Sequence, residues 1–147
     1  MTIHEFDPEI YPVKLWIVVG EDESICSMFR YKYNNKPIEL DSDDIWIAKT
    51  TNLLVKNDTD RYGIIISLNK IREISASNMA HEACHFTNKV YDFIEALEID
   101  LGGEQHAYFL GWTVECIDTV VKTTKINNKM ITKKTPKMPK KGTGKKC

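Results

Sequence analysis

The feature that most constrains this chain is a change of period at Ser75. Beyond it, Met79, Ala83, Phe86, Val90, Phe93 and Leu97 recur at helical spacing and fall on one face. Such a segment buries one stripe and leaves the opposite side polar, so the spacing predicts an amphipathic helix over 75–97 laid on an apolar surface. Ser75 or Ser77 is placed to cap its start, since a serine oxygen there accepts from an otherwise unpaired backbone N–H.

The residues before Ser75 supply that surface. Residues 13–20 (VKLWIVVG) are rich in β-branched and aromatic side chains and end at a glycine, which reads as a buried strand. Residues 21–33 carry Ile25, Met28 and Phe29 at helical spacing behind Asp22, a candidate N-cap, and predict a short helix. Residues 45–49, 52–56 and 61–68 read as strands, the last two joined by the turn-prone Asn57-Asp58-Thr59-Asp60 as a hairpin. The acidic stretch 39–44 lacks the spacing and glycine of an EF-hand and reads as a solvated loop. After Gly102-Gly103 a second helix is expected from Glu104 to about Lys122. The class is therefore α+β: a small mixed sheet from the first 70 residues, packed on one helix and followed by another.

At 147 residues the chain suits one core. Its formal net charge of −1 hides an asymmetry, because residues 130–147 hold seven lysines and no acid, leaving about −8 on the rest. We expect a folded body over 1–125 and a disordered lysine-rich tail over 126–147. Lys133, Lys134, Lys137, Lys140 and Lys141 make the tail a candidate contact for polyanions, without aromatic residues to stack on bases. Cys26, Cys84, Cys116 and Cys147 form no close pair, and no stretch reads as a signal peptide or membrane span, so a cytoplasmic setting is expected.

Within the amphipathic helix stands His81-Glu82-Ala83-Cys84-His85. Histidines four apart project to the same side one turn from each other, which lets two imidazoles reach one metal ion. In H-E-x-x-H the glutamate is not a ligand; it takes a proton from the water that the metal activates. On the helical wheel His81 and His85 face away from the apolar stripe, which argues against a role in the core. Cys84 turns toward the packing side and reads as a small packed thiol.

A catalytic zinc needs a third protein ligand. Asn88 and Tyr91 stand where a metzincin would have glycine and histidine, so that route is closed. Glu104, after 18 intervening residues, opens the second helix. A helix running to Leu97 travels about 18 Å beyond His85, so Glu104 reaches the metal only through an open connection or an earlier helix end.

His81-Glu82-Ala83-Cys84-His85 and Glu104-Gln105-His106-Ala107-Tyr108 together resemble the gluzincin family of zinc metallopeptidases, and especially its small zincin-like members in bacteria and their phages. The likeness covers roughly residues 75–117. It implies a zincin-like fold, a Zn2+ ion held by His81, His85 and Glu104, and Glu82 as general base. For the third ligand we rank Glu104 first, His106 second and Glu115 third, with Asp100 behind them. Tyr108 could donate a hydrogen bond to the developing oxyanion, or pack in the core. Glu104, Glu115 and Asp118 are expected to face inward between two buried sides of their helix. The expected reaction is hydrolysis of a peptide or protein substrate, Glu82 passing its proton to the leaving amine. The substrate would add along an exposed edge in the hairpin containing Tyr62 to Leu68. The rivals are a non-catalytic binding protein on the same scaffold and a virion-associated accessory protein docking through its basic tail.

Overall fold

The computed structural model describes residues 1–40, 45–96 and 103–134, with side chains up to Lys129. Its centre is β6 (Tyr62–Leu68), where Ile64, Ile65 and Ile66 are all fully buried. Three consecutive buried residues in a strand require cover on both faces, because their side chains alternate. Ile64, Ile66 and Leu68 enter one core with Leu15 and Ile17; Ile65 enters a second with Trp16, Val18 and Phe29.

The other strands are β1 (Thr2–Phe6), β2 (Lys14–Val19), β3 (Phe29–Tyr31), β4 (Ala48–Thr50) and β5 (Leu54–Lys56). They form one six-stranded sheet in the order β1-β2-β6-β5-β3, with β4 also paired to β6. Only β2 and β6 run parallel among the named pairs. On one edge of β6, β5 pairs at Tyr62 and Gly63, while β4 pairs at Ile66 to Leu68. Gly63 is a packing requirement: a Cβ there would lie 2.3 Å from the Trp16 ring, which is fully buried.

The mixed sheet and its helices agree with the α+β expectation. Helix α1 (Ser24–Met28) begins one residue later than Asp22 would set it, with Glu23 at the cap and Asp22 accepting from the Ser24 amide at 2.9 Å. Strand β1 was not expected; its edge position leaves most of it half-exposed, which weakens the apolar signal. The hairpin of β5 and β6 forms, but β6 lies inside the sheet with partners on both sides. It therefore offers no edge for an added strand, which corrects that expectation.

Helix α2 (Ala76–Phe93) is capped by Ser75, whose side chain accepts from the Asn78 amide while Asn78 accepts from the Ser75 amide. It ends four residues before Leu97, turning at Glu95, whose φ is 54°. Helix α3 (Glu104–Lys134) runs antiparallel to it, as Tyr91 meets Gln105, Asn88 meets His106 and Phe86 meets Phe109. It continues well past Lys122, so the expected tail is helical from 126 to 134, while 135–147 lie outside the described residues. Most of the acidic stretch 39–44, and Asp100, also lie outside them. No described helix is long and apolar enough to cross a membrane.

Candidate metal centre

Helix α2 buries Ala83, Phe86 and Val90 against the sheet, which turns the other side of the same turns outward. His81 and His85 are exposed there, and their Nε2 atoms stand 3.0 Å apart with the rings nearly perpendicular at 88°. Two nitrogens bound to one tetrahedral zinc at ~2.0–2.1 Å would be about 3.3 Å apart, so this pair fits a shared ion with a shift of a few tenths of an ångström. As they stand, the two nitrogens face each other, one ring donating a hydrogen bond to the other, so a shared ion would replace that proton.

Glu82 lies on the side of α2 that meets β4 and is only 6% exposed. A carboxylate in such a place needs a donor. Thr50, on β4, provides it: its Oγ1 donates to Glu82 Oε2 at 2.5 Å. A second tie runs from Lys89 Nζ on α2 to Asn52 Oδ1, in the connection just after β4, at 2.6 Å. Thr50 was not singled out in the sequence, and no local pattern could have found it, since it lies 32 residues before Glu82.

The opposite face of β4 is also fixed. Lys49 pairs with Glu21 at 2.9 Å and lies over the Trp46 ring, while the Ser67 hydroxyl donates to the same Glu21 carboxylate. The Thr51 amide donates to the Ile65 carbonyl at 2.9 Å and the Asn69 amide to the Ile47 carbonyl at 3.0 Å. By the alternation of an antiparallel ladder, the backbone groups of Ala48 and Thr50 point away from β6. No described strand pairs with them. Among the described residues this edge of β4 is unpaired, and Thr50 on it touches Glu82.

Helix α3 packs on α2 and the sheet through one side only, which includes His106, Phe109, Thr113, Ile117 and Val120. Glu104 and Glu115 are exposed on the far side, and Tyr108 is 75% exposed, so they do not turn inward and Tyr108 does not pack in the core. Asp118 is half-buried and pairs with Lys122. A helix lying across another element covers one stripe, and here the apolar residues from Phe109 to Val121 take it. His106 is half-buried, 3.4 Å from Asn88 Oδ1 and against the Tyr91 ring, one turn beyond His85. Among the described residues no third histidine, cysteine, aspartate or glutamate joins His81 and His85 at one point. Cys84 is half-buried with Asn88 Nδ2 at 3.6 Å from its sulfur.

Burial pushes the Cys116 thiol up to about 11, with the Glu115 charge adding to it. Burial also raises Tyr91, helped by the neighbouring Tyr11 hydroxyl, so both side chains remain neutral over the ordinary pH range.

Comparison with known families, curated proteins and solved structures finds no match to this chain.

Proposed function

We propose that this protein is a zinc-dependent, gluzincin-type peptide hydrolase with a zincin-like fold. The observation that carries the reading lies on α2: the His81 and His85 nitrogens stand 3.0 Å apart on its exposed side, and Glu82, next to His81 in the chain, is buried and held by Thr50 of β4. His81 and His85 would hold Zn2+; Glu104, the first-ranked third ligand, would have to turn from the far side of α3 to reach it, as would Glu115, with His106 the other alternative. The early end of α2 meets the condition that the chain turn back soon after His85. Bound zinc supplies Lewis acidity, which polarises a carbonyl and makes a water more acidic.

The protein residues do the rest. Thr50 occupies Glu82 Oε2 and leaves Oε1 to take a proton from the attacking water and pass it to the leaving amine. An extended peptide adds to the outer edge of β4, where the free groups of Ala48 and Thr50 supply a ladder. That strand sets the scissile carbonyl next to the base. Tyr108, near Glu104 on α3, is the proposed donor to the oxyanion.

A second reading is a zincin-like binding protein without hydrolysis, favoured by the exposure of Glu104 and the lack of an assembled third ligand among the described residues. Elemental analysis of the purified chain, with peptide-library cleavage followed by mass spectrometry, separates the two. We expect one zinc per chain and cleavage in the wild type, zinc without cleavage in Glu82→Gln, and neither in His81→Ala. Zinc in the wild type without cleavage selects the binding protein; a chain that takes up no zinc overturns both.

A further inference from the structure

Two cavities meet where β2 and β6 end. The larger, 650 Å³, lies between the start of β1, the turn after β6 and the second half of α3; Lys70 and Arg72 line it. The smaller, 270 Å³, shares Arg72 with it and adds Lys125 and Lys129. His81, Glu82 and His85 line neither, so this cleft is separate from the candidate metal centre.

Its charge is unusual for this fold. Lys14, Arg30, Lys49, Lys56, Arg61 and Lys122 each stand against a carboxylate. Lys70, Arg72 and Lys125 have no carboxylate partner among the described residues, and Glu73 is the one acid lining the two cavities. Like charges gathered in a cleft raise the local potential and draw an anion. Threonine and asparagine side chains of α3 add neutral donors, whereas among the described residues no phenylalanine, tyrosine or tryptophan lines either cavity and His4 is the one ring there. Those are the groups that hold phosphate and sugar, not ones that stack on bases.

The arrangement is a track more than a point. Lys125 and Lys129 are four residues apart on α3, a rise of about 6 Å, and Lys133 follows at the same interval. From residue 119 to the last residue the sequence has no acid. We propose that this cleft binds the phosphate backbone of nucleic acid, with Lys70, Arg72, Lys125 and Lys129 neutralising successive phosphates. The inference does not depend on zinc or on hydrolysis.

The test is fluorescence anisotropy of labelled single- and double-stranded oligonucleotides of mixed sequence, titrated with the full chain. Four phosphate contacts predict an affinity that falls by about two orders of magnitude between roughly 50 and 200 mM salt. The pairs Lys70→Glu with Arg72→Glu, and Lys125→Glu with Lys129→Glu, are each expected to weaken binding at least tenfold and to flatten the salt dependence. Melting temperatures verify folding, and glutamine replacements take over the test if a reversal unfolds the chain. The proposal is overturned if no oligonucleotide binds, or if cleft variants bind like the wild type while Lys140→Glu with Lys141→Glu abolishes binding. It is also overturned if vesicles of phosphatidylserine bind the chain and oligonucleotide fails to compete.

Discussion

Thr50 and Glu82 are joined across the seam between β4 and α2 by a 2.5 Å hydrogen bond, which makes the wall of the sheet and the proposed base one unit. Thr50→Val keeps the shape and deletes the donor. A buried carboxylate oxygen left unpaired costs roughly 1–3 kcal/mol, so the urea midpoint should drop and proteolytic turnover with it, while Thr50→Ser preserves both. A valine variant as stable and as active as the wild type would show that the bond has no such part.

Gly63→Ala places a methyl group inside the Trp16 ring, which itself packs on Phe29 at 4.9 Å between centroids. The indole cannot yield without moving its neighbours, and overpacking of this kind costs about 1–3 kcal/mol. Thermal unfolding should shift down accordingly, with a changed near-ultraviolet circular dichroism signal from the displaced tryptophan.

Removing the cap of α2 has a milder, separable effect. Ser75→Ala deprives the Asn78 amide of its acceptor, at about 1 kcal/mol, far from the histidine pair in contacts though on the same helix. We expect lower stability with unchanged zinc stoichiometry; loss of zinc in a folded Ser75→Ala chain would contradict this.

Cys116 titrates at about 11 in the folded chain because it is buried, and at its ordinary value near 9 once unfolded. Between those values the unfolded chain releases a proton that the folded chain retains, so stability is constant below about 9 on this account and falls as pH rises toward 11. At pH 8, peptide-resolved alkylation should spare Cys116 in the folded protein and label it in denaturant. Rapid labelling of the folded protein would refute the burial argument.

The sequence made some parts of this arrangement readable. Helix α2 was legible because its apolar spacing persists for four turns behind a serine cap, and β2 and β6 because runs such as Ile64-Ile65-Ile66 admit few other fates. The end of α2 was misplaced because Ile94 and Leu97 continue the apolar spacing while the backbone turns left-handed at Glu95. Position in the sheet was beyond reach for β6, since nothing in its own residues says how many neighbours it has. The histidine pair and Glu82 were visible as a motif; Thr50 was not, because its role arises from a pairing between segments 32 residues apart. The outward turn of Glu104 and Tyr108 depends on which stripe of α3 meets α2, and two apolar stripes were available.

Strand β4 registers with β6 over three residues, whereas β2 registers with it over six. Opening free energies differ between parts of one fold, and a short marginal ladder detaches at a smaller cost than the whole. The wall that holds Glu82 should therefore exchange its amide hydrogens before β2 does. A preparation can retain its full spectroscopic signature and yet contain a fraction of molecules in which the base has come loose.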